Sequence, residues 1–502
     1  MSRLLIVFLL SCYLAPAVVG GGKAAAPPMN PALADSTWPI YHANSYATAS
    51  ATSPTIDPDK IERVNNLARW RRVKGHVSPW TVARAPGADG SQALLSTPFP
   101  GVAKYVIDAE GLRAVHLLEL DRKWTDFDWT IAVLADNSAV VTERKHNRYA
   151  IVADKGKRLD SPLEVVKRIT IDEERYDKIS SHFAIAYDGA LIALTDKPAM
   201  IAVDLEAGRV KSAIDLEGVG TVFHNSYPVD ETGRVYLSTQ VALSAFDWDG
   251  DKLSLAWTSP YNMRGPGYEK NEEQSKKLLP EAIAVARGEP GTGTGTTPTL
   301  LGDPDTGVVV LVDGHEPKNR LVAFFRGDIP ADHKPIKDPD DPDLTLDRRV
   351  AAVFPLPRST PDGEGFTMEN SPAAYGNSIV LAQWAGFKPD ATPPTGVQRV
   401  DWNPDTRSFN LAWINEDILF NGVPTIAHTP QGLAAIGMGR EGNRYRYHVL
   451  DFKTGQPQRP AIDLGTSDDV LDQGNNHIIT ADGSVVYPGK KQLMRLYGEQ
   501  GG

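Results

Sequence analysis

Residues 181–210 read SHFAIAYDGALIALTDKPAMIAVDLEAGRV. Three short apolar runs alternate here with turns at Asp188-Gly189, Asp196-Lys197-Pro198 and Glu206-Ala207-Gly208, and a fourth run, Lys211 to Leu216, follows. Runs of this length separated by tight turns mark antiparallel strands, and four in succession make a meander. The same arrangement returns along the chain at irregular intervals of roughly 40 to 70 residues. A four-stranded unit cannot bury both of its faces alone, so it stacks against copies of itself. The fold class predicted is all-β, a β-propeller of four-stranded antiparallel blades.

Eight meanders are expected, beginning near Pro79, Asp128, Ser181, Val222, Thr296, Glu369, Val423 and Gly474. The first, Pro79 to Asp121, is the least regular, which leaves seven blades as the alternative. The last has three strands and ends at Leu496. Propellers protect the open edge of the ring by borrowing a strand from the other terminus. The segment around Trp38, or just after it, is expected to supply it. Lys60 to Val73 carries Ile61, Val64, Leu67 and Trp70 at helical spacing and reads as a short amphipathic helix. Two insertions interrupt the rhythm. One runs from Tyr268 through a helical stretch to Arg287 and the Gly/Thr run 288–299, and the other spans Ala331 to Arg348. Long loops of this kind often carry function.

With 502 residues, 41% hydrophobic and 23% charged, the chain has an ordinary globular composition. Its net charge of −11 argues against nucleic acid and anionic membrane surfaces as partners. Arg3 followed by the apolar run Leu4 to Leu10 and small residues at Gly20 to Gly22 reads as a secretory signal over 1–22, too short for a transmembrane span. An Ala/Pro-rich leader follows over 23–36, and the propeller domain takes 37–502. The protein is therefore expected to be exported, to a periplasmic or extracellular location. Leu9-Leu10-Ser11-Cys12 has the pattern of a bacterial lipobox, which makes Cys12 a candidate lipid anchor. Cys12 is the single cysteine, so no disulfide forms within the chain.

The outer strands share a look: Asp204-Leu-Glu-Ala-Gly, Asp247-Trp-Asp-Gly, Asp401-Trp-Asn-Pro-Asp and Asp451-Phe-Lys-Thr-Gly, two of them leading to Leu-Ala-Trp at Trp257 and Trp413. Together with the Trp38-Pro-Ile-Tyr-His opening, this resembles the PQQ-like repeat superfamily, which includes quinoprotein dehydrogenases and the outer-membrane assembly lipoprotein propeller. The resemblance spans most of the mature chain and implies a propeller architecture rather than a particular chemistry. It brings PQQ into view as a cofactor, one that needs a flat slot and usually calcium. The dehydrogenases typically place a vicinal cysteine pair beside PQQ. A chain whose one cysteine lies in its signal region has no such pair, so PQQ is not expected.

Each inner strand ends at a turn, and this gives a register. Six residues before Asp136, Asp188, Asp230, Asp303, Gly376, Gln431 and Asp482 stand Thr130, His182, His224, Thr297, Asn370, Thr425 and Asn476, all polar. Two positions further on the residues are mostly small, as expected where radial sheets crowd toward an axis. The polar set should ring the mouth of a central funnel. Such residues also suit the plainer task of capping inner-strand ends. Two histidines at one register favour chemistry, so His182, His224 and Glu369 are candidate catalytic residues. Thr130, Thr297, Asn370, Thr425, Asn476 and His477 are candidate ligand contacts. His182 and His224 could act as base and acid, or could hold a divalent metal with Glu369 or His477. The function expected is binding of a small polar molecule or saccharide, by an enzyme using histidine or metal chemistry. The rival is a non-catalytic scaffold for envelope assembly or partner binding.

Overall fold

The computed structural model describes residues 26–51, 53–60, 62–69, 81–122, 130–219, 226–263, 294–315, 318–358, 370–383, 396–420, 422–442, 444–466, 477–488 and 492–497. Eight antiparallel sheets form a propeller, with blades at 81–119, 132–170, 179–215, 234–260, 299–355, 373–415, 425–466 and 478–497. Blade 4 has three strands, and its inner position is taken by the stretch 227–230, tied to the sheet by a bridge between Val229 and Val235. In every blade the first strand lies innermost and is buried, as in Ile179–Ile185. The last lies at the rim and alternates between covered and exposed residues, as in Arg209–Asp215. Loops joining strands 1–2 and 3–4 therefore share one face, here the exit face. Loops joining strands 2–3 and successive blades share the other, the entry face.

Apolar side chains fill the layers between neighbouring blades. Tyr149 of blade 2 meets Phe183 of blade 3 edge-to-face at 5.9 Å, within a cluster that includes Ile151, Ile185 and Ile201. The rim strand of each of blades 1 to 7 carries one unpaired extra residue: Val115, Val166, Lys211, Ala256, Ala351, Ala412 and Leu464. A bulge of this kind twists an exposed strand and makes it a poor template for edge-to-edge pairing. The alanine of each Leu-Ala-Trp motif is the bulge itself. In the sixth blade it aims Trp413 at blade 7, where its Nε1 donates to the Phe452 carbonyl at 2.9 Å and its ring packs against Gly455.

An N-terminal strand closes the ring, as expected, and it comes from just after the Trp38 segment. Glu62–Arg69, read as part of a helix, is a strand that pairs antiparallel with Gln492–Tyr497 at the rim of blade 8. Residues 70–73 of that expected helix lie outside the described residues. The segment around Trp38 itself goes to the axis. Residues 30–36, expected within a leader, are docked as well: Leu33 bridges to Leu134, and the Ala34 amide donates to the Val133 carbonyl at 3.0 Å. Of the insertions, 331–348 folds against blade 5, with buried Arg320 bonded to Asp313 and Asp338. Tyr268 to Arg287 lies outside the described residues, as does the expected signal over 1–22. Among the described residues no helix is long and apolar enough to cross a membrane.

Candidate ligand site at the propeller axis

Inner strands crowd at an axis and leave one row of backbone groups unpaired, and buried amides require partners. The segment 30–51 supplies them blade by blade. Ala83 donates to the Trp38 carbonyl at 2.8 Å, Val133 to Pro39 at 2.7 Å, Val229 to Ser45 at 2.9 Å, Leu300 to Tyr46 at 3.0 Å, Ala374 to Thr48 at 2.8 Å and Ile426 to Ala49 at 3.0 Å. The remaining two blades are met by side chains. Asn30 Nδ2 donates to the Ile185 carbonyl of blade 3 at 2.8 Å, and Thr37 Oγ1 to that of Ile479 in blade 8. A chain that keeps turning its carbonyls outward around so tight a circle cannot stay extended. His42, Ala43, Ala47 and Ala49 accordingly have φ of 60°, 73°, 57° and 46°, a left-handed conformation costing about 1–2 kcal/mol per residue. Asparagine and aspartate bear this conformation more readily than alanine, so the alanines here answer to the narrow space they fill.

Both ends of this segment emerge on the exit face. The Pro28 carbonyl accepts from Tyr187 Oη at 2.9 Å, and Ile56 donates to the His428 carbonyl at 2.8 Å. Tyr46 is anchored toward that face by Glu231 and by Arg326, whose guanidinium is fully buried against Asp230 at 3.0 Å. The segment is thus a floor, and the polar register stands on its entry side.

Thr130, Thr297, Asn370, Thr425 and His477 sit at or just before the starts of inner strands, and His182 lies midway along Ile179–Ile185, while His224, Glu369 and Asn476 lie outside the described residues. Some of the six are brought together. Thr130 Oγ1 and His182 Nδ1 pair across blades 2 and 3 at 3.3 Å. Thr297 Oγ1 meets His42 Nε2 at 3.1 Å and Ser226 Oγ at 2.8 Å, and its amide donates to Ser371 Oγ at 2.9 Å. Others bond backbone carbonyls. Asn370 Nδ2 donates to the Gln383 carbonyl at 2.8 Å, and Thr425 Oγ1 to the His477 carbonyl at 3.4 Å. The His477 ring lies in the layer between blades 7 and 8, against Tyr447 and Tyr487.

The expected open mouth differs from what is found: Thr130, His182 and Thr297 are 1%, 3% and 2% exposed. Sequence reasoning also missed His42, which converges with Ser226 on Thr297. The one available signal was the shared composition of His42-Ala-Asn-Ser-Tyr and His224-Asn-Ser-Tyr, since Ser226 of the second stretch converges with His42 on Thr297. Burial lowers the His42 pKa to about 3, so its imidazole is neutral. Its Nδ1 makes no hydrogen bond among the described residues. Between the floor and blades 2 to 4 lies a cavity of about 20 Å³, with Tyr41, Asn44, Ser45, Thr130 and Ser226 on its walls. Among the described residues no three metal-ligating side chains converge.

No family model matches the chain. It is similar to an uncharacterized protein of Archaeoglobus fulgidus, at 25% identity over 467 residues, covering 86% of this chain and 82% of that protein. Among solved structures it resembles a quinohemoprotein alcohol dehydrogenase from Comamonas testosteroni, with a TM-score of 0.50 and 12% identity, over 92% of this chain and 81% of the other. BamB from Moraxella catarrhalis matches with a TM-score of 0.39 and 11% identity, over 75% of this chain and 98% of its own. At these identities the likeness is one of fold alone, a β-propeller.

Proposed function

We propose that the protein is an exported propeller that binds a small polar organic molecule or saccharide at the entry side of its axis. The observation that carries this reading is the convergence of the Thr130–His182 pair and the His42–Thr297–Ser226 cluster on a floor made by the chain itself. Polar side chains meeting at the axis of a concave fold are the usual makings of a ligand site. His42, held neutral by burial, suits hydrogen bonding rather than proton transfer at ordinary pH. The roles proposed for His182, His224 and Glu369 in chemistry rest on the sequence register. Export rests on the apolar run after Arg3, with Cys12 as the candidate acylation site.

PQQ does not fit the described residues. It is a flat polyanion usually held with calcium, whereas the axial cluster offers neither a cationic side chain nor a group of carboxylates, and residues 30–51 occupy the axis.

The reading is tested by thermal shift and calorimetry on the mature protein against sugars, polyols and polar metabolites, repeated with Thr297→Val and Ser226→Ala. Saturable binding that weakens about tenfold in both variants is expected, the loss of roughly one hydrogen bond. Binding unchanged in both removes the cluster from the site. A second reading, a non-catalytic scaffold, is favoured by the burial of the polar register. It predicts no ligand in the panel, and lysine crosslinks to one envelope protein in intact cells.

A further inference from the structure

Between blades 1 and 2, toward the exit face, two buried cations share one carboxylate oxygen. Arg84 follows the inner strand Thr81–Ala83 of blade 1, and Lys104 lies in that blade's third strand, Gly101–Asp108. Asp154 Oδ1, from blade 2, stands 2.8 Å from Arg84 Nη1 and 2.7 Å from Lys104 Nζ. Lys104 Nζ also donates to the Ser161 carbonyl at 2.9 Å. Asp160, whose charge also reaches Lys104, is held by the Arg158 guanidinium at 2.9 and 3.0 Å. Arg84 is 5% exposed, and its Nε and Nη2 are buried and make no hydrogen bond among the described residues. Burying a cation with part of its donor set unmet is costly, so the open atoms call for an occupant.

Their position says which kind. Nε and Nη2 lie on one edge of the guanidinium, the edge that grips a carboxylate or phosphate through two parallel bonds. Asp154 engages Nη1 and leaves this fork open. Its side chain is 21% exposed, so the fork lies just beneath the surface. The adjoining loop carries exposed Lys155, Lys157 and Arg158, a cationic spot in a chain of net charge −11.

We infer that the open edge of Arg84 binds a phosphate-type oxyanion between blades 1 and 2, with Lys104 supplying the second positive charge. Two buried cations against one carboxylate favour a dianion over a monoanion. The chain's overall negative charge turns it away from anionic membranes, so the anion is taken free from solution. The site shares no residue with the axial cluster, and neither reading depends on the other.

The test is calorimetry and thermal melting of the mature protein in phosphate, sulfate or acetate, against chloride at constant ionic strength. Phosphate and sulfate should bind saturably, and acetate more weakly. Arg84→Lys keeps a charge for Asp154 but loses the fork, so it should weaken phosphate binding about tenfold or more. Asp154→Asn leaves both cations unmatched, so phosphate should raise its melting temperature further than it raises the parent's. Phosphate and sulfate also stabilise proteins by exclusion from their surface, without saturation. An equal, unsaturable rise in the parent and both variants is therefore a salt effect only and overturns the site. Acetate binding as tightly as phosphate overturns the preference for a dianion.

Discussion

Replacing Trp38 with alanine should loosen the axial segment while leaving the ring folded. Trp38 is fully buried in a core that joins blades 1, 7 and 8, and its Nε1 has no hydrogen-bond partner among the described residues, so the loss is one of packing. An indole of this kind buries about 150–250 Å². At about 25 cal/mol per Å² this is about 4–6 kcal/mol, in line with the 3–5 kcal/mol of measured Trp→Ala changes at about the same burial. The segment is also held by backbone bonds to six blades, by the side chains of Asn30, Thr37 and Tyr46 and by buried Leu33 and Ile40. Each backbone bond contributes about 1 kcal/mol net, and the four left-handed residues offset about 4–8 kcal/mol of that. Loss of the indole, the largest fully buried side chain, therefore loosens the segment, whereas the sheets retain their own ladders. Hydrogen exchange read by mass spectrometry should show faster exchange at Ala83, Val133, Val229, Leu300, Ala374 and Ile426, six amides on six different blades. Amides in middle strands such as Leu191–Thr195 should remain protected. Exchange that accelerates uniformly, or only in blades 1 and 8 beside residue 38, would refute the argument that the segment is one unit.

Three further outcomes are expected. Gly455→Ala should cost about 2–4 kcal/mol in urea denaturation, because the new methyl would stand 2.5 Å from the Trp413 ring at a φ of +71°; an unchanged midpoint would discount the docking of one blade on the next. Ala49→Gly should match the parent or exceed it by up to about 1 kcal/mol, while Ala49→Val should lose about 1–3 kcal/mol, since φ is 46° in a fully buried place. His42 has a folded pKa of about 3, below the unfolded value near 6.5, so its contribution is complete above pH 6.5 and is lost as pH falls toward 3. His42→Asn should therefore flatten the decline of the denaturation midpoint between pH 7 and pH 4, and a parallel decline in parent and variant would exclude His42 from that response.

The blades were legible because each repeats a local rule: alternation, an Asp-led turn, and a small residue near the axis. Ser181 to Leu216 alone is enough to show it. The closing strand was not, because Glu62–Arg69 owes its conformation to pairing with residues more than 400 positions away, and a rim strand needs little apolar character of its own. Its Val64, Leu67 and neighbours fit a helical period equally well, and tertiary pairing decided between the two. Thr130, His182 and Thr297 were found from register, since the offset to the inner turn is a property of the repeat. His42 lies outside every repeat, so no register could reach it. The run Tyr46-Ala-Thr-Ala-Ser-Ala-Thr-Ser held the missing clue, since alternating small residues suit a chain enclosed on all sides. Composition alone made it read as a mere approach to the first blade.

The two tasks of the N-terminal arm, flooring the axis and closing the rim, set a timetable for synthesis. Thr37 meets Ile479 across 442 residues, and Glu62–Arg69 waits for Gln492–Tyr497. Thr37 and the closing strand thus emerge early and find these partners only when the last blade is made, although Trp38 and Pro39 can meet Ala83 and Val133 as soon as blades 1 and 2 exist. Loop closure over such distances is slow, and unpaired strand edges invite association between chains. For an exported protein that interval falls during and after translocation. A holding chaperone in that compartment would have the arm, and not the blades, as its natural client.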